Sequence, residues 1–271
     1  MRSVIELHLE MTRHEGGMAH VFEFPGCCFR GENREGILAR TAVEVGRYLS
    51  WCEEHGLTDV SSLVKSIIRA RKRASSASGP AIVARVVEMV EGAPLWKSSQ
   101  PAALFENDHE AMDDAGVQNH FRAARSVYQD VARLVSELEP AQLAYHIDDE
   151  SRSLEETLTH VGDCVWWYCS RISDELPEPG EEIPAGGLAR IQALLPQAEE
   201  FLLAFPLERR GEEIVPARFP SGDPQERWTH RKACRRLVEH MMEHLRGIAA
   251  LREEVLERMT PSGSNSYQTG E

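Results

Sequence analysis

The sequence predicts an α+β protein, a small strand-helix unit followed by an all-α four-helix bundle. Three observations predict it. The first 24 residues alternate apolar and polar side chains with the period of half-buried strands, as in Val4-Ile5-Glu6-Leu7-His8-Leu9-Glu10. From Val117 onward the apolar residues recur with the period of amphipathic helices. The helical stretches are separated by breaks around Pro140, from Pro177 to Gly187 and from Pro206 to Pro224.

The first strand, about Val4 to Glu10, turns at Gly16-Gly17 into a second, Met18-Ala19-His20-Val21-Phe22-Glu23-Phe24, which makes a hairpin. Pro25-Gly26 breaks that run, and Cys27-Cys28-Phe29-Arg30 adds a third strand. Asn33 is placed to cap a helix from about Arg34 to His55, whose apolar side is Ile37, Ala42, Val45, Tyr48, Leu49 and Cys52. Residues Arg69 to Gly79 are basic and then Ser/Ala-rich, which reads as an exposed linker. The β-branched stretch from Ala81 to Val90 returns as a further strand and completes the first sheet. This gives an α+β unit over residues 1–95, a polar linker over 96–116, a bundle over 117–259 and a disordered tail over 260–271. The four bundle helices are expected at about 117–138, 153–174, 187–205 and 229–259.

A chain of 271 residues is long enough for two modest cores. With 42% apolar and 27% charged residues it has the balance of a soluble globular protein, and no apolar run approaches the roughly 20 residues of a membrane span. The N-terminal residues lack the continuous apolar segment of a secretory signal, so a cytoplasmic location is expected. The six cysteines show no CxxC pair or zinc-ribbon spacing, and reduced thiols are expected. The net charge of -14 is unevenly placed: residues 1–73 hold 11 Lys/Arg against 10 Asp/Glu, and the remainder 19 against 34. That acidity repels phosphates and argues against nucleic acid as a partner.

The chemistry concentrates near the C-terminal end. In His240-Met241-Met242-Glu243-His244 two imidazoles stand four residues apart, beside the apolar stripe Leu237, Met241, Ile248, Leu251 and Val255. Two titratable rings pointing at a core call for a common partner, and a divalent metal held by neutral imidazole nitrogens supplies one. Catalytic sites of this kind use three protein ligands. The third candidate is His160, flanking the core face Leu154, Leu158, Val161 and Val165 of a helix that can face the last one. Cys164 lies four residues beyond it, with a buried inert thiol as its default reading. His120, His146 and His230 read as surface or capping residues, Trp166, Trp167 and Trp228 as packing, and Glu243 as a solvent-exposed helix carboxylate. Arg122, Arg125, Arg235 and Arg236 are the cations placed to line a mouth. The HxxEH pattern of inverted zinc proteases also fits residues 240–244, but such enzymes need a further ligand well downstream.

Two stretches resemble known families. Phe24-Pro25-Gly26-Cys27, Gly31 and the helix from Arg34 through Ala42, Val45 and Leu49 resemble a HicB-like domain, a small antitoxin-related fold. That resemblance implies an interaction module. Leu158-Thr159-His160 followed by Trp166-Trp167, together with Trp228-Thr229-His230 leading into Glu239-His240 and Glu243-His244, resembles the DinB/YfiT-like four-helix bundles over roughly 117–259. By position, the resemblance implies that His160, His240 and His244 bind one divalent transition metal, with zinc, nickel and iron all compatible. It further implies metal-dependent thiol transfer, in which a low-molecular-weight thiol attacks an electrophilic substrate. The alternative is a non-enzymatic interaction or regulatory protein, in which the HicB-like module binds a partner and the bundle is structural and forms a homodimer.

Overall fold

The computed structural model describes residues 2–12, 16–73, 81–91, 103–217 and 226–259. The N-terminal part is a four-stranded sheet of β1 (Arg2–Met11), β2 (Gly17–His20), β3 (Cys28–Gly31) and β4 (Ala81–Glu91), in the spatial order β3-β2-β1-β4. β1 pairs antiparallel with β2, and β2 with β3, as the two short turns require. β4 pairs parallel with β1. A parallel return needs a crossover, and α1 (Arg34–Glu54) and α2 (Ser62–Arg73) provide it.

The strand alternation of β1 sets the layers. Ile5, Leu7 and Leu9 are fully buried on one face with Ile37, Val45 and Leu49 of α1 in the same core, while His8 and Glu10 on the other face are also buried. That second face meets the helical part: His8 Nε2 lies 3.3 Å from Asn107 Oδ1, and His20 of β2 contacts the last helix. α1 starts where Asn33 Oδ1 accepts from Gly36 N at 2.8 Å.

Two N-terminal expectations are corrected. The second strand ends at His20 instead of running to Phe24, because Val21 to Cys27 fold into successive turns, with Phe24 N donating to Val21 O and Cys27 N to Phe24 O. Pro25 brings no amide to a ladder, and Gly26 takes a φ of 83°. The stretch from Arg69 to Arg73 is the end of helix α2, anchored by buried Val64, Ile67 and Ile68 at helical spacing. The Ser/Ala-rich remainder of that linker, 74–80, and the tail 260–271 lie outside the described residues.

The helical part contains α3 (Asp114–Val135), the short α4 (Pro140–Leu143), α5 (Leu154–Ser170), α6 (Gly187–Ala204) and α7 (His230–Met259). α5 opens on a capping box: Glu156 N donates to Ser153 Oγ at 3.2 Å and Ser153 N to Glu156 Oε2 at 2.9 Å. Of the segment read as a linker, 103–116 is described. It carries a 3-10 turn at Glu106–His109 and fully buries Phe105 and Asp108. α3 and α5 pack on α7, α6 packs on α3 and α5, and buried apolar residues from the sheet and from the helices form one continuous cluster.

Candidate metal centre

The site is built where α5 packs on α7. Val161 and Val165 bury one side of α5, and His160 sits at the edge of that face, half-buried. On α7, Leu237, Met241 and Ile248 are buried and hold the helix so that His240 and His244, one turn apart, turn towards α5. The His160 ring centroid lies 5.2 Å from that of His240 and 5.1 Å from that of His244, and the latter two are 4.4 Å apart. One nitrogen from each ring falls within 4.8 Å of the others.

These residues fit a metal ion in donor type, and the two on α7 also in spacing; the spread of up to 4.8 Å across all three closes onto one ion only if a side chain turns. Nε2 of His240 and Nε2 of His244 are 3.1 Å apart. Two nitrogens on one tetrahedral zinc, each at roughly 2.0–2.1 Å, are separated by about 3.3 Å. The protonation state fits as well. Burial, aided by the positive Arg152 and by His244, brings the His160 pKa down to about 4. His240 is held well below the ordinary imidazole value by burial and by its two histidine neighbours. His244 is lowered chiefly by burial, against the opposing charge of Glu243. All three rings are therefore neutral at pH 7, the form that donates a lone pair. One feature departs from the usual second layer of a metal site: His240 Nδ1 is buried without a hydrogen-bond partner, and its ring packs on Tyr168 at 5.6 Å.

His160 also lines an open cavity of about 650 Å³, together with His146, Arg152, Glu155, Thr159 and Asp163. Arg152 was not singled out in the sequence. Its signal was its place immediately before the Ser153 cap, which sets it at the start of the His160 helix. Cys164 Sγ lies 3.7 Å from Nδ1 and 3.8 Å from Nε2 of His160, and burial pushes its thiol pKa up to about 12.

Several expected roles change. Arg235 and Arg236 line no mouth, being buried in an ion-pair network: Arg235 donates to both oxygens of Asp108, at 3.1 and 2.8 Å, and to Glu239, and Arg236 donates to Glu239 at 2.6 Å. Arg122 and Arg125 pair with Asp59 and Glu199. Glu243 is a partly buried carboxylate that accepts from Arg30 at 2.7 Å and from Arg236 at 3.4 Å. His120 and His230 are buried, beside Gly116 O and Leu202 O respectively, whereas His146 is exposed. Trp167 and Trp228 pack edge to face at 5.6 Å, and Trp166 Nε1 donates to Pro177 O.

Comparison of the chain with protein-family models, with curated proteins and with solved structures gives no match. Among the described residues no helix is long and apolar enough to cross a membrane.

Proposed function

We propose that this chain is a DinB-like metalloprotein whose bundle binds one divalent transition metal through His160, His240 and His244 and catalyses thiol transfer to an electrophile, with a HicB-like module at its N-terminal end. The observation that carries the reading is the convergence of three neutral imidazoles from two helices, with one nitrogen of each within 4.8 Å of the others. When bound, a zinc, nickel or iron ion supplies Lewis acidity that lowers the pKa of a thiol or water.

The chain's own residues supply the rest. Burial keeps the three rings unprotonated, so they do not need to lose protons to bind a cation. The cavity beside His160 gives a small molecule access from one side, while Tyr168 and the core of α5 close the other. Arg152 on the cavity wall places a positive charge near all three histidines and disfavours their protonation.

The test is metal content per chain by elemental mass spectrometry on protein purified without an affinity tag. About one transition metal per wild-type chain, lost in His160→Ala and His240→Ala while helicity is kept, supports the site and justifies screening thiols against electrophiles. Failure to take up metal even after reconstitution rejects it.

A further inference from the structure

We propose that the cavity where the sheet meets the helical part is a second binding site, taking a small neutral molecule with an amide or lactam group whose N–H is received by His120. It does not depend on the metal centre.

The cavity measures about 350 Å³, within the range of pockets that hold small ligands. Phe22 and Glu23 from the turns after β2, Ser61 before α2, His120 on α3 and Arg231 at the start of α7 all line it. Both halves of the chain therefore contribute walls, and such junctions are common places for ligand sites.

His120 is only 6% exposed, and its Nδ1 lies 2.9 Å from Gly116 O. A carbonyl oxygen can only accept, so Nδ1 carries the proton and Nε2 of the neutral ring carries a lone pair. Burial brings the pKa down to about 4, which keeps that ring neutral at pH 7. Among the described residues no group donates to Nε2, and this nitrogen is not sealed in the core but open to the cavity. An acceptor on so buried a side chain costs free energy unless a donor reaches it.

Arg231 supplies the complementary donor. Its Nε donates to Glu110 O at 2.9 Å and its Nη2 lies 3.5 Å from Glu110 Oε2, which leaves Nη1 unused. Its charge reaches His120 and disfavours protonation of the ring, so the two are neighbours on the cavity wall. A lone pair beside a fixed N–H donor matches the N–H and C=O of one amide. Charge narrows the class further. Glu23 and Asp113 line the same cavity as a guanidinium that Glu110 already answers, so a phosphate or other polyanion is repelled. Phe22 gives an apolar wall for the rest of the molecule.

The probes are δ-valerolactam, its N-methyl analogue without the N–H, and inorganic phosphate, each added at millimolar concentration to full-length protein with nitrogen-15-labelled histidines. Long-range proton–nitrogen spectra read the His120 Nε2 signal, which His120→Phe assigns by its loss; should that variant not fold, the lactam pair on wild type decides alone. The expected result is a saturable shift of Nε2 with δ-valerolactam, binding of the N-methyl analogue weaker by roughly tenfold, and no effect of phosphate. Arg231→Met should weaken the lactam by a similar factor while the proton stays on Nδ1. An Nε2 signal unmoved by either lactam means that the cavity holds solvent only and overturns the site. Equal binding of the two lactams removes His120 as the receiving group, and a shift with phosphate alone overturns the ligand class.

Discussion

His20 Nδ1 on β2 and Glu239 Oε1 on α7 lie 3.0 Å apart, both buried, although 219 residues separate them in the chain. Glu239 is the residue immediately before His240, so the sheet grips α7 at the turn that presents the candidate ligand. Burial alone would raise the Glu239 pKa, but Arg235, His20 and Arg236 outweigh it and hold the carboxyl well below the usual range. Burial opposes the charge on both arginines, but Asp108 and Glu239 answer Arg235, and Tyr168, Glu239 and Glu243 answer Arg236.

Removing that carboxylate should be costly. Glu239→Ala strips Arg235 and Arg236 of a shared counter-charge in the interior and is expected to destabilise by about 3–5 kcal/mol. Urea unfolding measures it, and a loss below about 1 kcal/mol would contradict the description of a closed ion-pair network.

Arg30→Ala provides the contrast. Arg30 reaches the same helix through Glu243, but its side chain is 36% exposed. A solvent-screened pair contributes about 0–1 kcal/mol, so the same measurement should show a much smaller shift than for Glu239→Ala.

Acid should weaken the fold in a defined window. Burial brings His120 and His230 down to about 4 from an unfolded value of 6.5. The unfolded chain therefore binds protons first as pH falls: the contribution is fully present above pH 6.5 and is lost progressively towards pH 4, on the order of 3 kcal/mol for each group as an upper bound. A stability profile that is flat between pH 7 and 5 would show that these rings are not held neutral.

Gly26 separates conformational strain from packing. At φ 83° a side chain is disfavoured, and a Cβ there would lie 2.9 Å from Val238 Cγ1 on α7. Gly56, at φ 67°, has open space around the same position. Gly56→Ala should cost about 1 kcal/mol and Gly26→Ala about 2–4 kcal/mol; equal losses would mean that Val238 yields freely.

If the three histidines bind zinc, added zinc must stabilise the native state by mass action, about 4 kcal/mol at a thousandfold excess over Kd. Thermal unfolding with and without zinc should show the shift in wild type and none in His160→Ala. An equal shift in both would place the bound ion elsewhere.

Much of the fold was legible because periodicity is local. Asn33, the capping pair Ser153 and Glu156, and the stripe on α7 announce their elements within a few residues of sequence. The imidazole pair 240/244 could be read the same way, whereas His160 was only a candidate on a helix that can face the last one, and its place beside the pair was implied by the DinB-like resemblance. What escaped was non-local. Arg235 and Arg236 read as lining a mouth until Asp108, 127 residues away, pairs with Arg235 and Glu239 joins the two arginines. Asp108 was itself hidden in polar sequence that reads as a linker. α2 was masked by its basic end, although Val64, Ile67 and Ile68 carried the helical spacing.

Helix α7 is buried on every side from Lys232 to Met242, with charged groups among its enclosed residues. Its desolvation has to wait until β2 and the turn at Asp108 are already in place to receive it. Closing a 219-residue separation is entropically late and slow. During synthesis the strands leave the ribosome before α7, so one face of their sheet stays wet until that helix emerges, leaving the growing chain open to premature pairing along that face.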